Sequence, residues 1–345
     1  MRAVRLVVVG CGAAASTIHM PAISAMKPKE VTVVACVDLD RNRAKEFAAR
    51  FGIRQHLDSL EAVDNADAVL IATPPATHPE LVVSALRMGL PVFCEKPFVL
   101  NGEQFRDIER AIAAVGKPVH VGYVRRLYPS VMLARSLVEA GTVGDVVEVE
   151  AYEGQQFSWP VASDYVISSR SNAGGVLFDL GSHNLDAILF VLGLDTTYQY
   201  ANPTAQVAVM ESIVDSIRNE SQAMGRVRIT RRDGEVLVRY KFVRTGRLAN
   251  IVRIRGTRAM VEVSTAFSMS ANLVVNGRCF SIEEHDSYFY SRRSVADCCR
   301  HQLHEFVAAV NGDMICHSVQ AWTRQYMTTR VLSAASDNRQ TLGEM

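Results

Sequence analysis

Two short stretches hold side chains whose types and spacing can do chemistry. In LPVFCEKPFVL (Leu90–Leu100) an apolar run ends in Glu95 and Lys96, and Pro97 follows at once. Proline fixes its own φ and drives the preceding residue toward extended backbone, so Lys96 is held in a non-helical pose where a buried strand finishes. A lysine fixed there can donate a hydrogen bond to a reacting oxygen and stabilise charge as it develops. An isolated lysine at a strand end would only run its stem over apolar surface toward water. In GGVLFDLGSHNLD (Gly174–Asp186) Asp179 and His183 stand four residues apart, which on a helix gives them a common face. Imidazole titrates near ~6.5 when unperturbed, so His183 can take a hydroxyl proton at neutral pH as a general base. Asp179 is expected to bind the same oxygen or to orient the ring. Asp186 is expected either to support these groups or to face solvent.

The elements around these residues follow a pattern. Apolar runs VRLVVVG, VTVVACVD, ADAVLIATP, PVFCEK and PVHVGY alternate with amphipathic helical stretches. Gly52 and Gly89 are placed to end two of the helices, and Pro79 suits the first turn of another. Continuous apolar strands separated by helices predict a parallel, doubly wound sheet covered on both faces. After Leu127 the texture changes. DVVEVEAYEG alternates, RVRITRRDGEVLVRYKF is two alternating runs meeting at Asp233-Gly234, and ANLVVNGRCFSIEE turns at Asn276-Gly277. These are hairpin signals and predict a largely antiparallel sheet, with a helix around SHNLDAILFVLG.

VVVGCGAAA carries Gly10, Gly12 and Ala15 in the G-x-G-x-x-G/A spacing between a strand and a helix. Gly10 permits a tight turn, Gly12 lets backbone approach a pyrophosphate, and Ala15 allows close helix–strand packing. The free N–H groups of the helix start face the phosphates. The second strand ends in Asp38, whose carboxylate can accept from both ribose hydroxyls and would repel a 2′-phosphate. NAD is therefore expected over NADP, with Arg41 and Arg43 close enough to keep an NADP reading open. The alternative for Asp38 is a cap on the helix beginning at Arg41.

Bulk properties bound the rest. The chain has 345 residues, 48% hydrophobic and 21% charged, long enough for two domains. A net charge of +1 gives no global case for nucleic acid or an anionic membrane surface. No apolar run reaches the ~18 residues of a membrane span. MRAVRLVVVGCGAAAS imitates a secretory leader, but the pattern continues directly into a helix and second strand, so it is read as a first strand and its turn. Seven cysteines without metal-type spacing fit a cytoplasmic chain, with Cys298–Cys299 a structural coincidence on a helix and no metal site expected. Between Arg226 and Arg258 there are eleven basic residues and two acidic ones. One sheet face is therefore expected to be basic: an oligomer interface with acidic partner residues, a contact for an anionic substrate group, or a solvated face, the interface being favoured.

The glycine turn, ATPPATH, CEKP and GGVLFDLGSHNLD, in that order, make the chain resemble the Gfo/Idh/MocA family of oxidoreductases along nearly its whole length. The resemblance implies a Rossmann NAD(P)-binding domain over residues 1–125. It implies a substrate-binding and oligomerisation domain over 126–345, with an open, mainly antiparallel sheet, flanking helices and a last helix that packs back on the first domain. Lys96, Asp179 and His183 match the family's catalytic lysine, aspartate and histidine. Cofactor contacts are implied for Gly10, Gly12, Ala13, Ala14, Ala15 and Asp38, and also for Thr73, Pro74, Glu95 and Lys96. His78 either lines the same groove or caps the next helix.

In GYVRRLYP, Arg126 matches a common arginine, and Tyr123 and Arg126 join Lys96, Asp179 and His183 on the substrate side. Val124 departs from the polar residue often found there. QQFSWPVASDY has no assignable counterpart, and its Trp159 and Tyr165 either wall a sugar ring or cover the domain junction. The implied reaction is NAD-dependent hydride transfer with a secondary alcohol or ketone of a sugar, cyclitol, sugar acid or nucleotide sugar. Redox-assisted glycoside cleavage or elimination without net NADH, and a non-catalytic dinucleotide sensor, are the alternatives. A homo-dimer or homo-tetramer is expected.

Overall fold

The computed structural model describes residues 2–156, 175–194, 206–214, 221–231, 234–283, 293–312, 328–333 and 339–341. The chain divides into two compact units, one holding Met1–Gly122 and the helix that follows Ala296, the other beginning at Tyr123.

In the first unit the apolar runs become β1 (Val4–Val9), β2 (Val31–Val37), β3 (Gln55–Leu57), β4 (Ala68–Ile71), β5 (Val92–Cys94) and β6 (Val119–Val121). They pair in parallel in the order β3-β2-β1-β4-β5-β6. Every residue of β4 and β5 is buried, because helices cover both faces and neither meets water. Those helices are α1 (Met20–Ser24), α2 (Arg41–Phe51), α3 (His78–Arg87) and α4 (Gly102–Val115).

Local chemistry sets their ends. The Asp40 carboxylate accepts from the N–H groups of Asn42 and Arg43 at 3.0 and 3.2 Å, and Asn101 does the same for Glu103 and Gln104 at 3.1 and 3.0 Å. Each such cap contributes roughly 1 kcal/mol. Asp40 rather than Asp38 therefore caps α2, and Asp38 is left to the glycine turn.

The order reverses between β1 and β4, and a doubly wound sheet opens its crevice there, beyond the carboxyl ends of the strands. Gly10 turns at φ +92, and a Cβ on it would lie 2.6 Å from the Ala72 carbonyl oxygen. Only glycine lets the turn after β1 lie against the turn after β4.

The second unit carries α5 (Pro129–Glu139), β7 (Val146–Gly154), α6 (Ser182–Val191) and the strands β8 (Gln206–Val214), β9 (Gln222–Arg231), β10 (Gly234–Val243), β11 (Ile251–Gly256), β12 (Met260–Ser264), β13 (Ser270–Val275) and β14 (Arg278–Glu283). After α7 (Val295–Val310), which joins the first unit by packing Phe306 edge-on to Phe93, β15 (Arg339–Thr341) completes the sheet. The order is β14-β13-β12-β11-β7-β10-β9-β8-β15, antiparallel except for β7–β10 and β8–β15. Asn276 (φ 49) and Gly277 (φ 76) form the two-residue turn between β13 and β14 that their sequence signals.

Alternation sorts the two faces of this sheet. Val236, Val238, Tyr240 and Phe242 of β10 point into the core. On the other face Arg239 pairs with Glu148, Arg253 with Glu262 at 2.7 Å and Glu150 at 3.8 Å, and Arg255 with Glu148 at 3.5 Å. The acidic partners expected from another subunit thus stand on neighbouring strands of the same chain, β7 and β12. Among the described residues no helix is long and apolar enough to cross a membrane.

Candidate active site

In the first unit a set of loops is laced around Lys96. The Asp38 carboxylate accepts from the N–H of Cys11 and the N–H of Asp40, each at 2.9 Å, which ties the end of β2 to the glycine turn. Arg43 donates to Asp38 at 3.2 Å, whereas Arg41 is drawn away to Asp58 at 2.7 Å. Thr73 lies where a side chain on Gly10 would collide, and its hydroxyl accepts from Thr77 at 2.8 Å.

His78 is fully buried. Its Nε2 is 2.9 Å from the Thr73 carbonyl oxygen and its Nδ1 2.9 Å from the Pro97 carbonyl oxygen. This corrects the expectation that His78 lines a groove or caps α3. The ring lies between the turn after β4 and the turn after β5, and burial pushes its pKa below the ordinary imidazole value, so that the neutral ring has one N–H to donate to one of the two carbonyl oxygens.

The Lys96–Pro97 bond is cis, and the Lys96 N–H donates to Glu95 Oε2 at 3.0 Å. Glu95 Oε1 lies 2.7 Å from Nε2 of His19. Burial alone would raise the Glu95 pKa. The hydrogen bond and charge of His19, with the Lys96 ammonium, outweigh it and hold the carboxyl below its usual range. Glu95 therefore enters this site as a carboxylate bound to protein groups on both oxygens. His19 was not singled out in the sequence, where the only available signal is one imidazole in an otherwise apolar helical stretch.

The second unit gathers its own cluster. Asp179 sits in a π-helical turn, Leu177–Gly181, that runs straight into α6, where His183 occupies the first turn. Such turns recur at functional sites. Asp179 accepts from Arg244 at 2.8 Å. The His183 ring meets Tyr123 edge-to-face with centroids 6.2 Å apart. Tyr123 is only 2% exposed, so it backs His183 rather than offering a broad surface. Arg126 is likewise buried: it donates to the Tyr123 carbonyl at 3.1 Å, lies over the Tyr123 ring and pairs with Asp186 at 3.4 Å.

Asp186 is fully buried, which selects the supporting role over the solvent-facing one. Beside it, Arg125 forks onto both oxygens of Glu153 at 2.6 and 2.7 Å, and Asn184 donates to the same carboxylate at 2.6 Å. Trp159 and Tyr165 lie outside the described residues. Among the described residues no group of His, Cys, Asp or Glu is placed to hold a metal ion.

The first unit fits a dinucleotide. A Cβ on Gly10 would fill the approach to the turn, the helix start leaves its first N–H groups without intrahelical acceptors, and Asp38 presents a carboxylate at the end of β2. A parallel sheet with this turn at its switch point, followed by a mixed sheet with helices on one face, defines a two-domain protein of the dinucleotide-dependent type. The chain belongs to the GFO/IDH/MocA oxidoreductase family. Residues 4–123 match the family model described as oxidoreductase family, NAD-binding Rossmann fold, and residues 131–262 match the GFO/IDH/MocA C-terminal domain.

Inositol 2-dehydrogenase of Rhizobium meliloti (strain 1021) is 30% identical over 200 residues, covering 58% of this chain and 58% of that protein. The scyllo-inositol 2-dehydrogenase (NAD(+)) of Bacillus subtilis (strain 168) is 27% identical over 168 residues, 48% of this chain and 47% of that one. The chain thus spans about half the length of these curated relatives. An oxidoreductase from Thermotoga maritima shares the fold with a TM-score of 0.78 at 20% identity, over 98% of this chain and 97% of that one.

Proposed function

We propose that the chain is an NAD-dependent dehydrogenase moving a hydride between the cofactor and a secondary alcohol or ketone of a cyclitol or sugar. The observation that carries this reading is the anchoring of Lys96 at the carboxyl end of β5, with Glu95 bound to its backbone N–H. Its likeness to two inositol dehydrogenases supports the substrate class. When bound, NAD supplies acceptance of the hydride. The amides at Gly12, Ala13 and Ala14 would hold its pyrophosphate, with Ala15 keeping the helix close. Asp38 would hold its adenosine ribose, and Thr73 and Pro74 would border the same groove.

The chain's own groups do the rest. The Lys96 ammonium donates to the reacting oxygen and stabilises negative charge on it. His183 removes the hydroxyl proton, or returns it in the reverse direction. Asp179, held by Arg244, orients what His183 acts on. The test is turnover of free inositols and sugars, with NADH formed in step with ketone.

Cofactor choice gives a second expected result. Wild type should prefer NAD, since Asp38 would face a 2′-phosphate with like charge. Asp38→Ser should narrow the gap and do so through Arg43, which loses its Asp38 partner while Arg41 stays with Asp58. Adding Arg43→Ala to Asp38→Ser should abolish the gain in NADP use. Comparing kcat/KM for the two cofactors checks this, and an unaltered NADP gain in the double variant would transfer the role to Arg41.

Assembly gives a third. A homo-dimer or homo-tetramer is expected, with the charged sheet face as the contact. Replacing Arg239, Arg253 and Arg255 together with glutamine would remove the positive half of that face without setting like charges beside Glu148, Glu150 and Glu262 of the same sheet, and should weaken assembly in sedimentation equilibrium. A monomeric wild type at micromolar concentration would remove the interface.

A further inference from the structure

We propose that His19 is a positioning residue, which acts through Glu95 to fix the backbone from which Lys96 projects. The proposal rests on the reading above for the role of Lys96. His19 closes the π-helical turn Ala15–His19 that follows the glycine turn, and it is 3% exposed. Both oxygens of Glu95 are engaged: Oε1 with His19 Nε2 at 2.7 Å, Oε2 with the Lys96 N–H at 3.0 Å.

The terminal torsion of a glutamate is broad and easily turned. A carboxylate held on one oxygen can therefore swing, whereas one held on both cannot. A carboxylate only accepts, so Nε2 carries the proton that faces Glu95 in either protonation state of the ring. Aromatic neighbours pack against the ring. It stands edge-on to Phe93 with centroids 5.4 Å apart, and Phe93 is itself stacked on His120 at 4.9 Å. Backbone closes another side, since a Cβ on Gly122 would lie 3.2 Å from Glu95 Oε1. The helix that follows the glycine turn and the turn that carries Lys96 are thus joined through one carboxylate, which meets the backbone N–H of Lys96.

The decisive variant is His19→Phe, which keeps a ring against Phe93 but has no donor. In the protein without cofactor, hydrogen–deuterium exchange at the Lys96 amide should accelerate by about tenfold, the weight of one lost hydrogen bond. The amides of Val92–Cys94 should not change. With NAD and substrate, kcat should fall roughly 10- to 100-fold through misplacement of Lys96, while KM and the NAD dissociation constant stay near wild type. His19→Gln, which restores an N–H donor, should recover most of both losses.

A folded His19→Phe protein whose Lys96 amide exchanges at the wild-type rate overturns the proposal, whatever its turnover. If that variant does not fold, His19→Leu serves instead: it also fills the space without a donor and leaves Glu95 in place, so exchange at Lys96 must again rise, and an unchanged rate overturns the proposal. Lys96→Ala assayed alongside separates the two claims. Full turnover by Lys96→Ala would remove the assigned role of Lys96, while faster exchange in His19→Phe would still establish that His19 fixes this backbone.

Discussion

Lys96→Ala is expected to lower kcat on the order of 10²–10³-fold, the cost of deleting one donor aimed at a developing oxyanion. The loss should fall on kcat rather than on cofactor affinity. The dinucleotide's expected anchors are the turn at Gly10, whose approach to Ala72 no other residue could make, and Asp38, which the Cys11 amide holds. The fold should also survive, because the turn is gripped by backbone: the Lys96 N–H on Glu95 and the Pro97 carbonyl on His78. Titration of the variant with NAD should therefore give a binding curve close to wild type, with turnover nearly abolished. Equal losses in binding and turnover would place Lys96 in the supporting structure instead.

His183→Ala is expected to lose about 10²–10⁴-fold in turnover, as for a positioned general base. Its pH profile should separate it from Lys96→Ala. Imidazole works as a base only when neutral, so wild-type oxidation should fall on the acid side as the ring takes up a proton. His183→Ala should lack that limb, and Lys96→Ala should keep it. Arg244→Ala offers an intermediate case. It removes the Arg244 hydrogen bond from the Asp179 carboxylate, so it should slow turnover while leaving the acid limb in place. If His183→Ala kept its turnover and its profile, the base would have to be sought elsewhere.

What could be read from the residue string follows its physical range. β4 and β5 are legible because burial on both faces demands unbroken apolar runs. The β13–β14 turn is legible because Asn276-Gly277 tolerates positive φ. Lys96, Asp179 and His183 were marked by local spacing, and Asp38 by its place at the end of β2. The groups that hold them were not, since their partners are remote along the chain. His19 meets Glu95 across 76 positions, and Asp179 meets Arg244 across 65. No periodicity encodes such pairs.

The same limit explains the sheet face. Read alone, Arg226–Arg258 is a basic run. The acidic residues that pair with it on β7 and β12 become its neighbours only once strand order is fixed, and that order takes β7 between β11 and β10. His78 shows the converse. Its position after a strand marked it as groove-lining or capping, and only the fold reveals that two carbonyl oxygens enclose it.

The most direct test is NADH absorbance with purified protein, NAD and a panel of free inositols, sugars, uronic acids and nucleotide sugars. At least one should give a sustained rise, matched mole for mole by ketone product and lost in Lys96→Ala. A substrate consumed with no accumulation of NADH would contradict net dehydrogenation and make the hydride transfer transient.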